Sequence, residues 1–233
     1  MVDLVVLTGA GVSAESGLAT FRDAGGLWEG HRPEEVATPE AFARDPALVH
    51  RFYSARREAA AAAEPNAAHH ALVALQDRLG DRMLLVTQNV DGLHERAGHR
   101  KPIRMHGTLW RSLCASCGAR WEIKDVLSTP EDPCPACARA ATRPDIVWFG
   151  EMPIEMDRIY AALSEASHFA AIGTSGQVYP AAGFVEVAAE RGVTCWEINL
   201  APSGNPYFEE ILTGPATEAV PAWCKQIWEE LRA

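Results

Sequence analysis

Leu4-Val5-Val6-Leu7-Thr8-Gly9-Ala10-Gly11-Val12-Ser13-Ala14 opens a chain of 233 residues as a buried strand running straight into a helix. A short, nearly continuous apolar run suits a strand covered on both faces, as in a parallel sheet. The six residues from Gly9 fit the G-x-G-x-x-G/A pattern. There glycine lets the backbone turn tightly and approach a pyrophosphate seated on free N–H groups. An ordinary strand–helix turn has the same composition, so the motif alone decides little. It also lacks the acid-ended second strand that a dehydrogenase places about 20 residues on. Thr20-Phe21-Arg22-Asp23 and a Gly-rich stretch through Gly30 stand there instead, which disfavours a standard dehydrogenase.

Further along, short apolar runs recur at Met83–Thr87, Ile103–Met105, Ile146–Phe149, Phe169–Ile172 and Thr194–Ile198. Helical stretches are expected at Pro46–Ala63, Asn66–Leu79, Ala181–Arg191 and Pro221–Leu231. This alternation predicts an α/β fold, a Rossmann-like doubly wound parallel sheet. Two segments break the alternation and are read as insertions forming a small lobe. Residues 31–79 are helical and Ala-rich, and residues 111–142 hold four clustered cysteines. The main domain is then 1–30, 80–110 and 143–233. Each apolar run leads into glycine or polar residues: Gly9-Ala10-Gly11, Gln88-Asn89-Val90-Asp91, His106-Gly107, Gly150-Glu151, Gly173-Thr174-Ser175 and Asn199. Ligands of open α/β sheets bind beyond the carboxyl ends of the strands, so these six loops describe an active-site rim.

Composition narrows the classes. Hydrophobic residues are 48% and charged residues 22%, an ordinary globular balance, and no apolar run approaches the ~20 residues of a membrane span. Met1-Val2-Asp3-Leu4 has no signal-peptide character, so a cytoplasmic location is expected. A formal net charge of -10 without a basic run argues against nucleic-acid binding.

Cys114-x2-Cys117-x16-Cys134-x2-Cys137 is the strongest local signal. Two such knuckles make a tetrahedral four-thiolate zinc site, closed to water and therefore structural. Cys195 and Cys224 read as core residues. His106, at a strand end, is the best general-base candidate, because a neutral imidazole accepts a proton near neutral pH. His94, His69 and His70 read as packing groups. Asn89 and Asp91 either fix an amide such as nicotinamide or cap a following helix. Tyr53 and Arg56 share one face of a predicted helix, and spacing alone favours a solvated basic face for the arginine.

Gly9 to Arg22, Gln88 to Asp91 with Leu93-His94, His106-Gly107, the cysteine module, Val147 to Glu151, Gly173-Thr174-Ser175 and Asn199-Leu200 together resemble the sirtuins, in the family's order over essentially the whole chain. The resemblance implies a deacylase that consumes NAD and carries one structural zinc. The acyl-lysine oxygen would attack C1′ of the nicotinamide ribose, and His106 would then deprotonate a ribose hydroxyl, giving free lysine, nicotinamide and O-acyl-ADP-ribose. It implies NAD contacts from Gly9, Ala10, Gly11, Ser13, Ala14, Phe21, Arg22, Gln88, Asn89, Val90, Asp91, Gly173, Thr174, Ser175, Asn199, Leu200 and Ala216, with Asn89 sharing the catalytic role of His106. Acylated-lysine proteins would be clamped as an added strand by Val147, Phe149, Gly150, Glu151, Val178 and Tyr179.

Within the family, Tyr53-x-x-Arg56 resembles the motif of the subclass that removes succinyl and malonyl groups, and small Ala37 would leave room for the longer chain. A guanidinium grips a carboxylate through two parallel bonds, with a tyrosine hydroxyl adding a third. Alanine at position 216, where many relatives carry cysteine, is a departure at a backbone contact. Mono-ADP-ribosyl transfer, or a silent NAD-sensing module, are the alternative activities.

Overall fold

A computed structural model describes residues 2–20 and 30–232; the expected NAD contacts Phe21 and Arg22 lie outside the described residues. In chain order the strands are β1 (Leu4–Thr8), β2 (Met83–Thr87), β3 (Ile103–Arg104), β4 (Gly107–Cys114), β5 (Arg120–Glu122), β6 (Thr142–Ile146), β7 (His168–Ile172), β8 (Thr194–Asn199) and β9 (Glu210–Thr213). The helices are α1 (Pro33–Val36), α2 (Pro39–Arg44), α3 (Pro46–Ala62), α4 (Ala67–Leu79), α5 (Leu93–Ala97), α6 (Met156–Glu165), α7 (Phe184–Ala189) and α8 (Ala216–Leu231).

Six strands form one sheet in the order β3-β2-β1-β7-β8-β9, with every pairing parallel. β1 shows why its apolar run is nearly unbroken. Leu4 and Val6 face the core covered by α4 and α8, while Val5 and Leu7 face the core covered by α6 and α7. Full burial of each such side chain stabilises by about 1.5–3 kcal/mol, so neither face tolerates a polar residue. On α4, Ala68, Leu72, Leu75 and Leu79 repeat at helical spacing and pack on the sheet. The second half of the 31–79 stretch therefore belongs by packing to the main sheet.

β4, β5 and β6 make a separate antiparallel sheet, order β5-β4-β6. This corrects the run expected at Ile146–Phe149. Its strand is Thr142–Ile146, pairs antiparallel to β4, and ends where the parallel-sheet strand was expected to begin. Ile146 and Trp148 are apolar because they join Val36, Ala37, Phe52, Tyr53, Val90 and Leu109 in a third core cluster. The carboxylate of Asp145 ties the small sheet together through Arg111 and Arg120. β4, β5, β9 and α6 were not expected from the sequence, and α8 starts at Ala216 with Pro221 inside it.

Among the described residues no helix is long and apolar enough to cross a membrane.

Candidate functional site

Chain connections reverse direction across the sheet between β1 and β7, the switch point where open α/β sheets hold ligands. The loops after these strands touch. Gly11 N–H donates to the Gly173 carbonyl at 2.9 Å, and Gly9 N–H to the Ile172 carbonyl at 3.0 Å. A Cβ on Gly11 would sit 2.7 Å from Gly173 Cα, and one on Gly173 would sit 2.5 Å from Val12 N. Only glycine permits this crossing, which accounts for the glycines at both strand ends.

A cavity of about 730 Å³ opens above the crossing, of the size that holds a cofactor or small ligand. The structure brings every described candidate from the sequence except the four cysteines into its walls. Gly9, Ala10, Gly11, Ser13 and Ala14 line it beside Gly173, Thr174 and Ser175. Gln88 to Asp91 and His106 form its floor-side loops. Asn199, Leu200 and Ala216 line it as well, as do Tyr53, Arg56, Val147, Phe149, Gly150, Glu151, Val178 and Tyr179. Leu109, Ile146, Trp148 and Leu18 also line it and were not singled out. Trp148 sat inside a quoted motif, but nothing in the sequence says which way an indole points.

Asn89 is fixed by its neighbours. Its side-chain N–H2 donates to the Gly9 carbonyl at 3.1 Å and to Ser13 Oγ at 3.2 Å, and its backbone N–H donates to Thr87 Oγ1 at 3.0 Å. With Nδ2 engaged twice, Oδ1 is the atom offered to a ligand. Ser13 Oγ donates to Asp91 Oδ2 at 2.9 Å, and Leu93 N–H donates to Oδ1 at 2.8 Å. Asp91 thus caps the start of α5 and lines the cavity at once. Burial raises its carboxyl pKa, against hydrogen bonds from Leu93 and Ser13 that lower it. The His106 ring is held below the usual imidazole value by burial, partly offset by the Gln88 backbone. It is therefore neutral at pH 7, as a base must be.

Tyr53 is fully buried on α3, and desolvation raises its phenol to about 12, so it remains a donor. Trp148 Nε1–H donates to its oxygen at 3.0 Å. Arg56, one turn on, lines the same cavity, its guanidinium 5.7 Å from the Phe52 ring centre. The solvated basic face expected for Arg56 from spacing alone does not hold, since Arg56 is half-buried in the cavity wall; Arg51 is the exposed arginine of this helix. Arg57 is buried and crosses to the cysteine lobe, donating to the Val126 carbonyl at 2.8 Å and to Ser128 Oγ at 2.5 Å.

In that lobe the Cys114 and Cys137 sulfurs are 3.7 Å apart, as are those of Cys117 and Cys134, and all four lie within 4.8 Å of one another. A zinc tetrahedron with bonds of about 2.3 Å has edges of about 3.8 Å, so the four sulfurs fit one ion. The two knuckles are built alike. Gly118 N–H donates to the Cys114 carbonyl and Ala138 N–H to the Cys134 carbonyl, both residues with positive φ.

His69, His94 and His99 are buried, with Thr8 Oγ1 2.9 Å from His94 Nε2. Desolvation lowers His69 and His99 to about 4. Their folded pKa values lie below the unfolded value of ~6.5, so between these limits the unfolded chain binds more protons. Stability is then complete above pH ~6.5 and falls as pH drops toward ~4, by roughly 1.4 kcal/mol per pH unit for each histidine. Denaturant melts across this range are expected to show that slope. A His99→Leu variant is expected to flatten it, and an unchanged slope would contradict the assignment.

Comparisons with known proteins converge on one family. Residues 9–180 match the Sir2 family. An NAD-dependent protein deacylase of Caulobacter vibrioides is 54% identical, the alignment covering 99% of each chain. A Sir2 homologue solved as its NAD complex has a TM-score of 0.88 and 41% identity, over 98% of this chain and 90% of that one. A variant Sir2 homologue solved with 2′-O-acetyl ADP-ribose has a TM-score of 0.89 and 40% identity, over 99% and 93%.

Proposed function

The chain belongs to the Sir2 family and is an NAD-dependent protein deacylase, and we propose that its cleft favours lysines carrying a short acidic acyl group, succinyl or malonyl. One observation carries this reading. Among the described residues lining the cavity, Arg56 is the only arginine or lysine, and it shares that lining with the buried Tyr53 and the apolar Ala37, Leu109, Ile146 and Trp148. A fixed cation in a low-dielectric pocket strongly favours a carboxylate, and an acetyl group has none to offer.

Bound NAD would supply the ribose that takes up the acyl group. The protein's part is to bind, orient and move one proton. In this reading the glycine crossing of Gly9, Gly11 and Gly173 admits the pyrophosphate, with Ala10, Ala14, Gln88, Val90, Thr174 and Ser175 completing that wall. Ser13 and Asp91 meet the carboxamide, and Asn199, Leu200 and Ala216 meet the adenosine half. Asn89 Oδ1 accepts from one ribose hydroxyl, and His106 takes the proton that the other gives up. Val147, Phe149, Gly150 and Glu151, with Val178-Tyr179, would take the substrate backbone between them as an added strand. Residues 1–30, 80–110 and 143–233 would then hold NAD. Residues 31–62 and 111–142 would bear on the acyl side of the cleft, while α4 packs on the main sheet.

Arg56→Met tests the acidic-acyl reading. Desuccinylation is expected to lose about 2–5 kcal/mol in kcat/KM, the usual loss when a buried charge pair is broken. Deacetylation of the same peptide is expected to change little. Tyr53→Phe is expected to show the same bias with about 1.5–3 kcal/mol, one hydrogen bond to a charged group. Equal losses on both substrates would withdraw the reading.

A further inference from the structure

Among the described residues lining the cleft Trp148 is the one tryptophan, and its neighbours hold it in place. It is 2% exposed. The Arg143 guanidinium carbon lies 3.4 Å from one face of the ring, and the Phe42 ring centre lies 5.4 Å away. Arg143 is itself held by two bonds to the Glu151 carboxylate, at 2.7 and 2.9 Å, and by the Ile146 carbonyl at 2.8 Å. Glu151 Oε2 also accepts the Trp148 backbone N–H at 2.9 Å. Backbone, ring plane and N–H direction are thereby locked together.

That N–H points at Tyr53 Oη. An indole nitrogen can only donate, so the phenol must present a lone pair to it. The phenol's single proton is then turned away from Trp148, on an oxygen whose ring lines the cavity. We propose that Trp148 is a positioning residue for acyl selectivity: its N–H holds the Tyr53 hydroxyl as a donor toward the carboxylate of an acidic acyl chain. Receiving one hydrogen bond also strengthens the one the phenol gives, because linked bonds polarise one another. The Arg143–Glu151 pair serves as the bracket for the indole, and it connects the peptide-binding segment to the acyl pocket. A phenylalanine at position 148 would keep an aromatic ring between Arg143 and Phe42 but would release the hydroxyl. This inference rests on the acidic-acyl reading above.

The test compares one peptide bearing succinyl-lysine or acetyl-lysine across the parent enzyme, Trp148→Phe, Tyr53→Phe, the double variant and Arg56→Met. Trp148→Phe is expected to lower desuccinylation kcat/KM by about 3- to 10-fold, the scale of one lost hydrogen bond, with deacetylation within about two-fold. In the Tyr53→Phe background the same change is expected to cost nothing more, because the hydroxyl it orients is gone. Equal losses on both acyl groups, or losses that multiply in the double variant, would overturn the inference and make Trp148 a packing residue. If Arg56→Met abolishes succinyl preference while Trp148→Phe leaves it intact, the positioning role alone fails. If Arg56→Met is itself unselective, the acidic-acyl reading fails first. Should Trp148→Phe fold poorly, benzothienylalanine at position 148 keeps the ring shape and replaces only the N–H, and the same fold-changes decide.

Discussion

Replacing His106 by alanine is expected to lower deacylation turnover by about 10²–10⁴-fold or more, the usual worth of a positioned general base. The fold and NAD binding are expected to survive. The side chain lines the cavity at the turn between β3 and β4 and belongs to none of the three core clusters. Its backbone role is separate, since the His106 carbonyl accepts from Val147 N–H at 2.9 Å whatever the side chain. Burial holds the ring below the ordinary imidazole value, so the base form dominates at neutral pH. The acid limb of the kcat/KM profile is expected below pH ~6.5 for the same reason, with activity lost as pH falls through the His106 pKa. Steady-state rates, calorimetric NAD binding and a thermal melt on the same preparation check the three statements together. Turnover within a few-fold of the parent would remove His106 from the mechanism. Loss of NAD affinity in step with turnover would make it a binding residue instead.

The main sheet was legible because its strands are buried on both faces, so Leu4 to Thr8 or Phe169 to Ile172 carry a signal that needs no partner to be read. The site was legible because strand ends of a parallel sheet converge, so each loop could be placed on the rim before any distance was known. Elsewhere the signal lies in packing. β5 is half exposed, and β9 sits at the sheet edge as Glu210-Ile-Leu-Thr213, with little apolar content to announce it. Ile146 to Phe149 looks like a sheet strand, yet its apolar residues line the cavity. Arg56 and Arg57 are adjacent in sequence and go opposite ways, one to the cavity and one to the cysteine lobe. Their spacing on α3 allows either direction. What sends Arg57 inward is the Val126 carbonyl and Ser128 waiting on a loop far along the chain.

Stripping zinc with a strong chelator, or making Cys134→Ser, is expected to unfold the cysteine lobe and abolish deacylation, although no ligand sulfur lines the cleft. Between Ala115 and Ala141 only Cys134 is buried, so this stretch has no hydrophobic core of its own. A segment of that kind depends on a staple. Four thiolates on one zinc supply it, and in small peptides such sites are worth apparent binding energies of about 10–16 kcal/mol, far more than the few exposed contacts here. The consequence travels by two routes. β6 leaves the lobe through Asp145 and Ile146 into Trp148, and Arg57 of α3 loses its partners at Val126 and Ser128. Breaking a buried guanidinium from its acceptors on the helix that carries Tyr53 and Arg56 costs a further ~1.5–3 kcal/mol for each bond to the charged group. Metal analysis of fresh protein is expected to give one zinc per chain. Chelation is expected to lower the melting temperature and activity together, and zinc returned after chelation is expected to restore both. Protein that melts and turns over unchanged after losing its metal would show that the lobe stands without it, and well under one zinc per chain would place the four cysteines in another role.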